Sequence, residues 1–256
     1  MISMKDWRLI EFKTNDAFTN MATDESILEA RVKNLVPNTL RFYSWKPSAV
    51  SVGFFQSLSE EVNSNECKRL GIDIVRRYSG GGAVYHDEDG EVTYSITVSE
   101  RDLNTTDMVE SFHELNNGLI YALKEFGVNA RFAPLNDIVI EKRKISGCAQ
   151  LRRHGIVLQH GTILVNLNPE VMFRVLNIPK QKLIDKNISK AEKRVTSLED
   201  EISKSVSLKQ VYDILVPSYS RSMNIDLKPA GLTEFELKKI EQFKTKYSSY
   251  EWNYRR

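Results

Sequence analysis

Apolar positions along the chain fall into short runs of strand character separated by stretches with helical spacing. Thr39-Leu-Arg-Phe-Tyr43 and Ala49-Val-Ser-Val52 predict two strands around a Lys46-Pro47-Ser48 turn, and Ile72-Asp-Ile-Val75 predicts a third. Val92, Tyr94, Ile96 and Val98 alternate with Thr93, Ser95 and Thr97. That period of two predicts a strand with one face buried more than the other. Asp107 and Glu110 predict a capping box, after which Met108, Phe112, Leu115, Leu119, Ala122 and Phe126 form one helical stripe that Gly127 ends. Asp137-Ile-Val-Ile140, the polar turn Glu141-Lys-Arg-Lys144 and the stretch from Ile145 onward predict a hairpin. Ile156-Val-Leu158 and Thr162-Ile-Leu-Val165 predict further strand on either side of Gln159-His160-Gly161. Helices are expected over Glu170 to Leu176, Leu208 to Leu215 and Glu234 to Tyr247, and the aromatic end, Ser249-Tyr-Glu-Trp-Asn-Tyr254, is expected to pack back on the body.

Mixed strand and helix signals place the chain in the α+β class, with a mixed sheet. No linker rich in Gly, Pro or Ser divides it. One domain over 1–256 is expected, with a helical C-terminal segment, about 169–256, as an appendage. The 256 residues are 41% hydrophobic, enough for a packed core. A net charge of +2 gives no basic stripe for nucleic acid. No apolar run approaches the ~20 residues of a membrane span, and the N-terminus carries no signal core, so a cytoplasmic protein is expected. Cys67 and Cys148 lie far apart and without metal spacing.

Candidate chemistry concentrates in two places. The first is Arg76-Arg77-Tyr78-Ser79-Gly80-Gly81-Gly82-Ala83-Val84-Tyr85-His86-Asp87. Consecutive glycines let a ligand approach the backbone, and exposed N–H groups in series make an anion-binding concavity. Arg77 is expected to grip a phosphate or carboxylate. Tyr78 and Tyr85 are expected to wall an acyl tail. The segment fits neither a Walker loop nor a dinucleotide fingerprint. The second place joins Asn136-Asp137, Lys144-Ile145-Ser146-Gly147-Cys148-Ala149-Gln150 and His160-Gly161-Thr162. Lys144 offers a compact cation, Asp137 a carboxylate suited to Mg²⁺, and His160 a histidine at a strand junction.

In order and spacing these segments resemble the motifs of lipoate–protein ligases. So do Asn20-Met21-Ala22-x-Asp24-Glu25, Arg41-Phe42-Tyr43, Val52-Gly53-Phe54-Phe55-Gln56, and Lys246 to Asn253, the last matching the close of the small ligase subunit. The resemblance implies a fold shared with biotin–protein ligases and related to class II aminoacyl-tRNA synthetase catalytic domains. It implies activation of lipoate by ATP and Mg²⁺ and transfer of the lipoyl group to a carrier lysine. The implied acceptors are lipoyl domains of 2-oxoacid dehydrogenase complexes and glycine-cleavage H protein. The implied nucleotide and lipoyl-adenylate residues are Arg77, Gly80, Gly81, Gly82, Ala83, Val84, Tyr85, His86, Asn136, Asp137, Lys144 and His160. Lys144 is the implied catalytic group, and Asp137 the implied magnesium ligand. Because the longer ligases carry a C-terminal domain beyond this point, a separate accessory subunit is expected as well.

The main rival is an octanoyltransferase on the same fold, moving octanoyl from acyl-carrier protein through a cysteine thioester. Cys148 is the candidate thiol, four residues after Lys144. The cysteines of such transferases stand elsewhere: before the lysine motif, where this chain has Leu135-Asn136-Asp137, or well after it, where this chain has none. Cys148 is therefore expected to be a packing residue.

Overall fold

A computed structural model describes residues 4–166, 168–177 and 194–255. The first strand, β1 (Lys5–Asn15), leads into α1 (Ala17–Val32), which Asp16 caps by accepting from the Thr19 N–H. Then come β2 (Thr39–Trp45) and β3 (Ala49–Val52), the short helices α2 (Leu58–Glu61) and α3 (Ser64–Leu70), and β4 (Asp73–Arg76). Next are β5 (Val84–His86), β6 (Glu91–Ser99), α4 (Met108–Glu125), β7 (Arg131–Ala133), β8 (Asp137–Ile140), β9 (Arg143–Arg153) and β10 (Ile156–Leu164). The rest is α5 (Pro169–Val175), α6 (Leu198–Ile202), α7 (Leu208–Met223), β11 (Ile225–Pro229), α8 (Glu234–Ser248) and α9 (Tyr250–Asn253).

Eight strands form one mixed sheet in the order β11-β1-β2-β6-β10-β9-β8-β7, and β4-β3-β5 form a smaller one. The strands on either side of Lys46-Pro47-Ser48 thus enter different sheets. The class expected from the sequence, α+β with a mixed sheet, is the one observed.

Alternation along β2, β6 and β10 sorts the residues between two layers. Leu40, Phe42, Tyr94, Ile96 and Val157 join the main core with Leu115 and Leu119 of α4 and Leu215 and Tyr219 of α7. Arg41, Tyr43, Ser95 and His160 turn the other way, toward Asp24 on α1. Every residue of β6 is buried, so the expected difference in burial between its two faces is absent: helices cover both. β10 likewise runs unbroken through Gln159-His160-Gly161. Its polar side chains are sheltered by buried partners and leave the strand intact.

Asp107 caps α4 by accepting from the Glu110 N–H, and Gly127 follows the helix at φ +79°. The Glu110 carboxylate accepts from Thr105 Oγ1 at 2.6 Å, so a single cap stands where a box is expected. The C-terminal segment is integral. β11 pairs with β1, α7 packs on α4, and α8 packs on α1. Part of the segment expected to be helical, 178–193, lies outside the described residues.

Candidate active site

The large sheet, the small sheet and α1 enclose a cleft of about 180 Å³. That exceeds the ~150 Å³ of an apolar cavity that holds benzene. Met21, Tyr43, Trp45 and Thr93 line one part of it. Gly81, Gly82, Ala83 and Val84 of the glycine loop line it too, with Lys144, Gly147, Ala149, His160 and Gly161 of β9 and β10.

The wall at 77–83 is held by Arg77. Its buried guanidinium donates to the carbonyls of Ser51 (3.0 Å), Gly80 (2.8 Å) and Gly82 (2.6 Å), and to Ser51 Oγ (3.1 Å). Burial lowers its pKa to about 10. Arg77 borders the cleft, where the sequence expects it to grip a ligand anion, and its Nη1 and Nη2 bonds also brace the loop, drawing the Gly80 and Gly82 carbonyls inward. Gly81 makes this possible with φ +93°: a Cβ there would lie 2.9 Å from Arg77 Nη2. Gly53 packs so closely on the Gly81 carbonyl that a side chain would have no room.

Lys144 stands near the start of β9, where its backbone bonds Arg194 O and the Thr196 N–H. Its ammonium crosses Gly147, the residue whose missing side chain makes room for it, and pairs with Asp137 Oδ1 at 2.6 Å. The lysine side chain is 41% exposed. Asp137, the expected magnesium ligand, is thus placed against an ammonium, and the described residues hold no group of three His, Cys, Asp or Glu arranged for a metal. This donor set does not fit a magnesium ion as arranged. Asn136 borders the cleft and anchors β9, its Nδ2 donating to Cys148 O and its carbonyl accepting from the Cys148 N–H.

His160 is pinned at both nitrogens: Nδ1 lies 3.3 Å from Asp24 Oδ2, and Nε2 lies 2.5 Å from Ser79 Oγ of the glycine loop. Burial depresses its pKa against the pull of Asp24, so the ring is held neutral. Burial tends to raise the Asp24 pKa, but Arg41 at 2.6 Å and the bonds from His160 and Ser95 outweigh it and leave it lowered. His86, expected on the nucleotide side, stacks on Trp45 with ring centroids 4.0 Å apart. Its Nδ1 meets Glu91 (2.7 Å) and its Nε2 meets Ser51 Oγ (2.8 Å). Both nitrogens are therefore engaged by the protein.

Gly81, Gly82, Ala83, Val84, His86, Asn136, Lys144 and His160 of the sequence candidates meet at the cleft with Arg77. Gly80, Tyr85 and Asp137 do not line it. Of the other cleft residues, Met21, Tyr43 and Ala149 belong to motifs that the sequence offers without a role, and Trp45, Ser51 and Thr93 stand in none of them. Each is an ordinary helix or strand residue, and only the folded sheet brings them together.

Cys148 borders the cleft, but its sulfur sits on the other face of β9, in the core beneath α4. It accepts from Asn116 Nδ2 (3.2 Å) and its S–H faces the Asn136 carbonyl (3.3 Å). Burial pushes the thiol up to about 11. A group so placed and so protonated is a packing residue, not an activated nucleophile.

The lipoyl protein ligase A/B catalytic-domain model matches residues 16–220. The chain belongs to that family. Members of the lipoyl protein ligase A/B family that resemble it along its whole length include the octanoyltransferase LipM of Kyrpidia tusciae, 35% identical over 99% of this chain and 100% of that protein. The octanoyltransferase LipM of Staphylococcus aureus is 30% identical, covering 98% and 99%. Among solved structures, a bi-partite lipoate protein ligase from Thermoplasma acidophilum, studied with its E2 lipoyl domain, superposes with a TM-score of 0.85 at 31% identity, covering 98% of this chain and 96% of that one. Lipoate-protein ligase A bound with ATP gives 0.82 at 29% identity, with 98% of each chain covered. The protein is therefore a lipoyl- or octanoyl-transferring enzyme of this family. The expectation of an ATP-driven lipoate ligase is overturned by the full-length relatives, which carry the octanoyltransferase name.

Proposed function

We propose that this enzyme is an octanoyltransferase: it takes an octanoyl group from a carrier-protein thioester and delivers it to a lysine of a lipoyl domain. The observation that carries the reading is the end-to-end likeness, at 35% identity, to an octanoyltransferase. The cleft supports it physically. Met21, Tyr43 and Trp45 offer an apolar bed for a hydrocarbon tail, and Lys144 lines the same cleft.

The chemistry is aminolysis of a thioester. The acceptor's neutral amine attacks the carbonyl carbon, a C–N bond forms, and negative charge develops on oxygen. Collapse breaks the C–S bond, and the proton lost by the amine goes to the departing thiolate. Lys144 and the glycine-loop amides would stabilise the oxyanion, a role in which one preorganised donor contributes ~3–4 kcal/mol. No enzyme thioester enters this scheme, in keeping with the buried, protonated Cys148. A thioester already carries the activation that ATP supplies to a free acid, so ATP and Mg²⁺ have no part in the reaction. Nor does the scheme itself call on an accessory subunit.

The test is the rate of octanoyl transfer from carrier protein to an apo lipoyl domain. Lys144→Met is expected to lower kcat roughly 10²–10³-fold, the loss typical of removing one oxyanion donor, with the fold intact. A variant that keeps the parental rate would remove Lys144 from the mechanism.

A further inference from the structure

Lys246, Tyr247, Trp252 and Asn253 belong to the closing motif of the sequence, yet none of them lines the cleft. Their contacts converge on the root of the glycine loop. Arg76, fully buried at the end of β4, gives its backbone N–H to Asn253 Oδ1 at 2.6 Å. Trp252 Nε1 donates to the Arg76 carbonyl at 2.8 Å. The Arg76 guanidinium donates to Asn253 O from Nη2 (2.8 Å) and from Nε (3.2 Å). Its Nη1 donates to the carbonyls of Gly53 (2.9 Å) and Gln56 (2.7 Å), the segment against which Gly81 packs. The Trp252 ring lies 6.1 Å from that of Tyr78, and the Lys246 ammonium sits 4.0 Å from the Trp252 ring and 4.6 Å from that of Tyr78. Asn253 is itself fixed, its Nδ2 donating to Tyr247 O and Ser249 O.

Catalysis by backbone amides depends on their being held in place before substrate arrives. Arg77 fixes the loop from within, but the chain entering it has to be fixed from outside. We propose that the hook 246–253 is a positioning element for the glycine loop: Trp252 and Asn253, through Arg76, set the backbone that walls the cleft, without touching substrate. The proposal rests on the loop being a wall of the active cleft and not on the identity of the acyl donor.

Hydrogen exchange of the amides of 80–84 in the free enzyme tests it with Trp252→Phe and Asn253→Ala. Trp252→Phe keeps the ring and deletes one hydrogen bond. Asn253→Ala deletes the side-chain acceptor and donors. Loop exchange is expected to quicken about tenfold in Trp252→Phe, the consequence of losing one buried hydrogen bond, and at least as much in Asn253→Ala. kcat for octanoyl transfer is expected to fall by a similar factor while KM for the octanoyl carrier changes little. Leu215→Ala, in the core beneath α4, is the control and is expected to lower Tm without quickening the loop. If Asn253→Ala does not fold, Trp252→Phe carries the comparison alone. Loop exchange unchanged in the folded variants overturns the proposal. Because exchange is read without substrate, that result is independent of the octanoyl assignment.

Discussion

At the scale of single residues, exposure and partner decide which charged or nucleophilic groups can act. Lys144 keeps its ammonium at the cleft because Gly147 has no side chain beneath it. Arg77 and His86 border the cleft while also bonding Ser51, the loop carbonyls and Glu91. Cys148 gives the plainest prediction. Its thiol packs against Asn116, on the face of β9 turned toward α4, so Cys148→Ala is expected to retain most of the octanoyl-transfer rate and to lose roughly 1 kcal/mol of stability. Intact mass of the parent enzyme after donor is added should show no acyl adduct. An adduct at Cys148 together with loss of transfer in the variant would make the cysteine a nucleophile after all. The Gly-Gly-Gly run and Lys144 are legible in the sequence as a site. That Arg77 serves its own loop is not, because the sequence does not show which carbonyls a guanidinium will meet.

At the scale of elements, the glycine loop and α1 shape the site. The loop holds its form because Gly81 takes a left-handed φ with Arg77 at its back. Gly81→Ala is expected to strain that backbone and push on the guanidinium, lowering activity at least tenfold while circular dichroism still reports a folded chain. Activity equal to the parent would show that the loop tolerates a Cβ and is not preorganised as described. α4 is legible in the sequence because its apolar residues recur at helical steps. α1 is not, for its buried face includes Asn20, Asp24, Glu25 and Ser26. Those residues bond Arg41, Lys246, Tyr247 and one another's neighbours, so the helix lacks the apolar stripe that periodicity detects. β10 escaped as one strand for a related reason: Gln159 and His160 look like a break until their partners, Gln150, Tyr94, Ser79 and Asp24, are seen.

At the scale of the whole molecule, the C-terminal third completes the body that holds the site. β11 extends the main sheet, and α8 is tied to β1 by a bidentate pair in which Arg8 donates to Glu236 at 2.8 and 2.5 Å, both side chains buried. Removing one partner leaves a buried charge uncompensated. Glu236→Ala is expected to cost about 3 kcal/mol in urea unfolding, and a cost below about 1 kcal/mol would show that the pair does not tie the segment down. The sequence announces these helices but not that they lock onto α1, α4 and β1, because strand order and long-range pairing are set by packing between distant segments.

The octanoyltransferase reading is tested most directly by the mass of an apo lipoyl domain incubated with the enzyme and one of two donors: octanoyl carrier-protein thioester without ATP, or free octanoate with ATP and Mg²⁺. The domain is expected to gain one octanoyl group from the thioester. Transfer confined to the free acid with ATP would contradict the reading.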